Sequence, residues 1–131
     1  SVRTLESIYW LGVKLIIDGR KDFAFTVGQW DPYNEKYNIG INPKEVLQAL
    51  INFMEENKTE IIVASTQLMI LPSYKFVFPK GIITNFHQPQ STLLLLISAF
   101  TGVAWKNIYD YALKNGFRFL SYGDSSLLWK I

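Results

Sequence analysis

Thr84-Asn85-Phe86-His87-Gln88-Pro89-Gln90-Ser91-Thr92 is the stretch on which the fold turns. Before it, Gly81–Phe86 has the β-branched and aromatic character of an extended strand. After it, Leu93, Leu94, Leu95, Leu96, Ile97, Ala99 and Phe100 make a run that is apolar all round, which predicts a buried helix to about Thr101. Pro89 and Ser91 suit the opening of that helix, and Gly102 suits its end. A strand that hands over to a buried helix is a unit of an α/β domain.

The same alternation continues outward. Downstream, residues 104–115 place Trp105, Ile108, Tyr109 and Ala112 on one helical face, with Lys106, Asp110 and Lys114 on the other. Gly116 closes that helix, Phe117–Tyr122 is expected as a last strand, and Gly123-Asp124-Ser125-Ser126 as a polar loop. Upstream, residues 60–71 read as a strand with a break near Ser65-Thr66, Pro72-Ser73 as a turn, and residues 75–78 as short and extended. Asn42-Pro43-Lys44-Glu45 is a helix start. Asn42 caps, Pro43 suits the first helical position, and Glu45 sits where a capping box needs it. Leu47, Leu50, Ile51 and Met54 form that helix's apolar stripe, which should stop near Asn57.

Residues 4–16 put Leu5, Ile8, Tyr9, Gly12, Val13 and Ile16 on one helical face, with Arg3, Glu6 and Lys14 off it and Ser1 or Thr4 as cap. Asp18-Gly19-Arg20-Lys21 reads as a turn, residues 23–27 as a strand, and Gly28–Gly40 as a loop. Three aromatics in that loop, Trp30, Tyr33 and Tyr37, are expected to pin it down. The pattern predicts one α/β domain over residues 1–131, a layered sheet with flanking helices, mainly parallel or mixed. A chain that starts at Ser1 without methionine and enters a helix at once is expected to be a fragment of a larger α/β domain.

Bulk composition narrows the chemistry. Half of the 131 residues are apolar, with 4 Trp, 7 Tyr and 9 Phe, which is ample for a core. No cysteine is present, so disulfides, thiolate metal sites and a thiol nucleophile are excluded. A single histidine excludes a multi-histidine metal site. The net charge of +2 is too mild to announce nucleic-acid binding, although a local patch fits within such a balance. The most apolar run, Leu93–Phe100, is far short of the roughly 20 residues that span a membrane. The fingerprints of dinucleotide-binding folds, phosphate-loop NTPases and serine α/β-hydrolases are missing.

Two segments carry candidate chemistry. In 84–92, polar residues collect where a strand ends and a helix begins, which is where α/β sheets bind ligands. His87 there is the one side chain with an ordinary pKa near neutrality. The plainer alternative is that Ser91 only caps the helix and His87 satisfies a buried backbone group. In 118–126, Asp124 suits a ribose or amine and Arg118 suits a carboxylate or phosphate. The plainer alternative is a turn in which Asp124 bonds its own backbone.

Thr84-Asn85-Phe86-His87, Pro89, Ser91-Thr92-Leu93-Leu94, Ser98-Ala99-Phe100 and Gly102 together resemble the hallmark block of the S-adenosylmethionine:tRNA ribosyltransferase-isomerase family of queuosine biosynthesis. Tyr111-Ala112, Phe117-Arg118-Phe119 and Ser121-Tyr122-Gly123-Asp124 resemble a second block. Ser1-Val2-Arg3-Thr4-Leu5-Glu6 is similar to a third, which in the family follows a Gly-Thr-Thr that is missing here. The blocks run in family order over nearly the whole chain. Two departures are Pro72-Ser73-Tyr74, where the family commonly has Pro-Gly-Tyr, and the longer region 22–41, which looks like an insertion. A serine in place of that glycine is strained if the turn needs positive φ.

The resemblance implies a fold with a β-barrel domain beside this portion, absent from this chain, so the fragment alone is expected to be inactive and to self-associate through exposed apolar surface. It implies a cytoplasmic enzyme that uses S-adenosylmethionine as ribosyl donor, with no permanently bound cofactor, no metal and no membrane. The acceptor is 7-aminomethyl-7-deazaguanine in tRNA, and the products are epoxyqueuosine, adenine and methionine. It implies His87, Asp124 and Arg118 as catalytic candidates. Asn85, Ser91, Thr92 and Tyr122 would bind S-adenosylmethionine, and Arg3 and Ser121 the substrate. The competing class is a non-catalytic RNA- or protein-binding domain on the same scaffold, since a fold by itself does not set a function. A small-molecule hydrolase lacks a nucleophile–base pair.

Overall fold

The structure, a computed structural model, describes residues 2–19 and 25–130. Cap residue Ser1, part of the expected turn at Arg20-Lys21, and the first residues of both the expected strand 23–27 and the insertion 22–41 lie outside the described residues. The protein is mixed α/β. Four α-helices accompany one parallel and one antiparallel strand pair among the described residues. Two compact units divide the chain, residues 1–69 and 70–131.

The first unit is built around helix α1 (Val2–Asp18) and helix α2 (Pro43–Glu56). Asn42 caps α2 as its sequence predicts, with Oδ1 accepting from the Lys44 N–H at 2.9 Å, and the helix ends at Asn57. The helices meet at Gly12, where a Cβ would lie 2.4 Å from Val46 Cγ1. Only a glycine allows that approach. The expected stripe on α1 needs correction. Leu5, Ile8 and Ile16 are partly exposed, whereas Glu6 is fully buried. A single stripe fits a helix with one covered face, but α1 is covered on several. Tyr9 Oη donates to the Ile41 carbonyl, Ser7 Oγ meets Thr66 Oγ1 at 2.7 Å, and Lys14 Nζ reaches both the Thr26 carbonyl and Asp31.

Strands β1 (Thr26–Val27) and β2 (Ser65–Thr66) are parallel, and their hydrogen bonds run on through Gln67 to Val27 and Met69 to Gln29. The sequence predicts a strand over 60–71 broken at Ser65-Thr66. The pairing is instead found at those two residues, which lie beside Thr26 and Val27. Loop residues Tyr33 and Tyr37 are pinned as expected, to the Met69 carbonyl at 2.9 Å and the Asp18 carboxylate at 2.7 Å, while Trp30 is exposed.

In the second unit, β3 (Gly81–Asn85) pairs antiparallel with β4 (Ser125–Trp129). Ile82 and Leu128 face each other on the buried side. Gly81–Trp129, Ile83–Leu127 and Asn85–Ser125 share the outer side. Helices α3 (Thr92–Thr101) and α4 (Ala104–Lys114) lie between these strands in sequence. Ser91 caps α3 with Oγ accepting from the N–H groups of Leu93 and Leu94, and Gly102 ends it at φ +60°. The prediction that α3 is buried all round holds on one side only. Leu96, Ile97 and Phe100 are buried, while Leu93 and Leu95 are exposed. Burying each such side chain contributes about 1.5–3 kcal/mol.

The last strand is displaced from its expected place. Residues 117–119 are irregular, the chain bends at Leu120 and turns at Ser121-Tyr122, and 125–129 form the strand. Phe117 and Phe119 look like strand residues, but their rings are taken by a cluster around Phe86, at centroid distances of 5.6 and 5.4 Å. Residues 75–78 form no strand, as Phe76 is packed edge-on between Tyr74 and Phe100. Ser73 sits in a turn closed by the Tyr74 N–H on the Leu71 carbonyl at 2.8 Å, and its φ is not positive, so that turn carries no strain from the missing glycine.

Candidate functional site

Strand β3 ends in the polar run that the sequence singles out, and β4 begins opposite it. Thr84 and Asn85 therefore stand across from Ser126 and Ser125. Ser125 Oγ donates to Asn85 Oδ1 at 2.7 Å, and Ser126 Oγ to the Thr84 carbonyl at 3.2 Å. The Asn85 amide nitrogen donates to the carbonyls of Leu120 and Ser121, both at 3.1 Å. Asn85 thus ties the strand end to the 118–124 loop. Past Phe86 the chain turns, and His87 Nε2 lies 2.8 Å from Thr84 Oγ1. The His87 N–H donates to Tyr109 Oη at 3.0 Å, so helix α4 fixes the backbone that carries the imidazole. Burial holds the imidazole below its ordinary value of 6.5, which leaves it a neutral proton acceptor at pH 7. Burial also pushes the Tyr109 phenol up, against the opposing effect of the His87 N–H.

The 118–124 loop is closed by a reciprocal pair. Asp124 N–H donates to the Arg118 carbonyl at 2.8 Å, and Arg118 N–H donates to Asp124 Oδ2 at 2.7 Å. The Arg118 guanidinium stands 3.5 Å from Asp124 Oδ1, mostly in solvent. The backbone N–H of Arg118, and then its guanidinium, hold the Asp124 carboxyl below the usual range. Gly123 permits the closure, since a Cβ there would lie 2.5 Å from the Arg118 carbonyl oxygen. Leu120 adopts φ +71° and Gln90 φ +65°, an uncommon conformation for side chains of that size, and both flank the site. Such strain gathers at functional positions.

The candidates thus divide. Asn85, His87, Arg118, Ser121 and Asp124 come together around the end of β3, with Ser121 contributing its backbone carbonyl to Asn85. Ser91 caps α3, and Thr92 begins that helix. The Tyr122 side chain is 96% exposed. Arg3 belongs to the other unit, in the first turn of α1, where its carbonyl accepts from Ser7 Oγ at 2.6 Å. Thr84, Tyr109, Ser125 and Ser126 are partners not assigned roles from sequence. The strand register that aligns the serines became readable only with β4 in place.

Among the described residues no group of three or more His, Asp or Glu is placed to hold a metal ion. No single described helix is long and apolar enough to cross a membrane, and α3 with α4 qualifies only as a pair bent by 117°. A cleft of about 530 Å³ opens in the first unit, bounded by Ile8, Leu11, Leu50, Ile51 and Met54, with hydroxyls from Thr4, Ser7, Ser65 and Thr66 as its polar groups. It offers no titratable side chain.

The sequence profile of the family described as "Queuosine biosynthesis protein" matches residues 34–128, which include every candidate except Arg3. The chain is 48% identical over 66 residues to a protein of Phenylobacterium zucineum, covering 50% of this chain and 18% of that protein. It is 39% identical over 98 residues to one of Paraburkholderia phytofirmans, covering 72% and 28%. Both relatives are named S-adenosylmethionine:tRNA ribosyltransferase-isomerase. The chain thus spans less than a third of the length of the curated relatives it matches. A crystal structure of S-adenosylmethionine tRNA ribosyltransferase from Thermotoga maritima is similar over 66% of this chain and 39% of that one, at 29% identity and a TM-score of 0.47.

Proposed function

The chain belongs to the queuosine biosynthesis protein family, and from that premise we propose that it supplies part of the active site of a cytoplasmic S-adenosylmethionine:tRNA ribosyltransferase-isomerase. The observation that carries this reading is the convergence of Asn85, His87, Arg118 and Asp124 at the end of β3, inside the matched segment. Residues 1–131 are read as an α/β portion of a longer enzyme, with 22–41 as an insertion.

In the proposed reaction a base removes a proton from the 5′ carbon beside the sulfonium, whose positive charge acidifies it. Adenine departs, the aminomethyl nitrogen of 7-aminomethyl-7-deazaguanine in tRNA attacks the sugar, and closure of the epoxide expels methionine. His87 is assigned as the base, because its imidazole is held neutral. Asn85, Ser91, Thr92 and Tyr122 are assigned to S-adenosylmethionine. Arg118 and Asp124 orient the ribose or the modified base, and Arg3 and Ser121 contact the substrate. Alone, the chain is expected to be inactive and to self-associate through its exposed apolar residues.

One observation favours the second reading, a non-catalytic RNA- or protein-binding domain. The side chains of Asn85 and Asp124 already bond the protein's own backbone. A single assay separates the two. Residues 34–128 of this chain replace the matched segment of the Paraburkholderia phytofirmans relative, and adenine release from S-adenosylmethionine is followed with tRNA carrying 7-aminomethyl-7-deazaguanine. The enzyme reading expects release by the chimera and its loss in the His87→Ala chimera. A folded chimera that binds tRNA with steep salt dependence, yet releases no adenine, favours the binding domain. Release that survives His87→Ala overturns the role of the histidine.

A further inference from the structure

We propose that Thr84 is a positioning residue that holds His87 as the Nε2–H tautomer, leaving the lone pair on Nδ1 as the proton acceptor. The inference deepens the function proposed above and rests on its assignment of His87 as a base. Thr84 Oγ1 makes two contacts, one with His87 Nε2 at 2.8 Å and one with the Asn85 carbonyl oxygen at 3.3 Å. A hydroxyl has one hydrogen to give and lone pairs to receive, and a carbonyl oxygen only accepts. Both contacts are satisfied together in one arrangement alone. The Thr84 hydroxyl donates to the Asn85 carbonyl, and Nε2–H donates to the Thr84 oxygen. The reverse assignment, with Thr84 donating to Nε2, leaves the Asn85 carbonyl without this bond.

The surroundings hold Thr84 in place for the task. It lies in β3 opposite Ser126, whose Oγ donates to the Thr84 carbonyl at 3.2 Å. The backbone that carries the imidazole is fixed in turn by the bond from the His87 backbone N–H to Tyr109 Oη. The hydrogen bond on one ring nitrogen sets the proton on that ring, and so which nitrogen is free to act as base. Valine matches the shape of threonine without its hydroxyl, and serine keeps the hydroxyl without the methyl group.

His87 is the one histidine of the chain, so nitrogen-15 spectra of the labelled imidazole report a single ring. The test records long-range proton–nitrogen correlations at pH 8 on the 131-residue chain and on its Thr84→Ser and Thr84→Val variants. The expected result is an unprotonated Nδ1 and an exchange-protected Nε2–H in the parent and in Thr84→Ser. Thr84→Val should lose the protected proton and shift both nitrogens toward the averaged positions of free imidazole. The amide spectrum verifies that the variant is folded. A parent ring protonated at Nδ1 or averaged between tautomers overturns the proposal with no variant needed, and so does a folded Thr84→Val with an unchanged ring. The readout is independent of catalysis. If adenine release survives His87→Ala while the tautomer is fixed as described, the base assignment falls and the positioning by Thr84 stands.

Discussion

At the scale of single residues, the loop that carries Arg118 and Asp124 depends on two features. The first is the Asp124 carboxylate on the Arg118 N–H. Its folded pKa lies below the unfolded value, so its contribution is complete above that unfolded value of about 3.9. The contribution is lost as pH falls through the depressed folded value. The amide signal of Arg118 should therefore stay constant from neutrality down to the ordinary carboxylate range and move only below it. A transition near pH 6 would contradict this account. The second feature is Gly123. A methyl group there meets carbonyl and backbone atoms of Arg118 and Phe119 at 2.5–2.6 Å, which no flexible side chain can relieve. Gly123→Ala should destabilise the protein by about 1–3 kcal/mol, the usual range for overpacking. Urea denaturation of the variant checks this, and an unchanged midpoint would refute the tight closure.

At the scale of elements, the caps and close approaches decide. Ser91→Ala should lower stability by about 1 kcal/mol through loss of the α3 cap, and Ser91→Asp should largely keep it. Co-substrate affinity in the chimera then separates capping from binding. If Ser91 also contacts S-adenosylmethionine, Ser91→Asp weakens binding without loss of stability. Gly12→Ala tests α1 against α2. Alanine improves helix propensity by about 1 kcal/mol, yet its methyl group would overlap Val46. Thermal unfolding should show a net loss, and a gain would mean that the helices part easily. These elements were the most readable in the sequence, because Asn42, Pro43, Ser91, Gly102 and Gly116 act through local backbone chemistry. The last strand was not, since Phe117 and Phe119 have strand-like character and are instead drawn into the Phe86 cluster, while Ser125-Ser126 looks like loop and is strand. The candidate site was readable in its residues and not in its partners. Spacing along a chain does not reveal that Asn85 bonds Ser125 or that Thr84 meets His87.

At the scale of the whole molecule, apolar side chains remain in solvent. On the outer side of the β3–β4 ribbon, Ile83, Leu127 and Trp129 are 78%, 66% and 68% exposed. Contiguous surface of this kind favours association. Light scattering over a dilution series should show the average mass rising with concentration, and the double variant Leu127→Lys, Trp129→Lys should suppress the rise. A constant monomer mass throughout would refute it. The same ribbon has a bearing on how the molecule is made. Asn85 and its partner Ser125 are 40 residues apart, with α3 and α4 between them. Helices form from neighbours in the chain, while a pairing of this span has to close a long loop first. During synthesis, then, α3 and α4 can form on the emerging chain well before β4 exists. The bonds from Ser125 to Asn85 and from Ser126 to the Thr84 carbonyl wait for that strand. A protease that trims the chain back through β4 takes away Ser125 and Ser126, and with them the side-chain bonds to Asn85 and to the Thr84 carbonyl, while α3 and α4 stay in the chain.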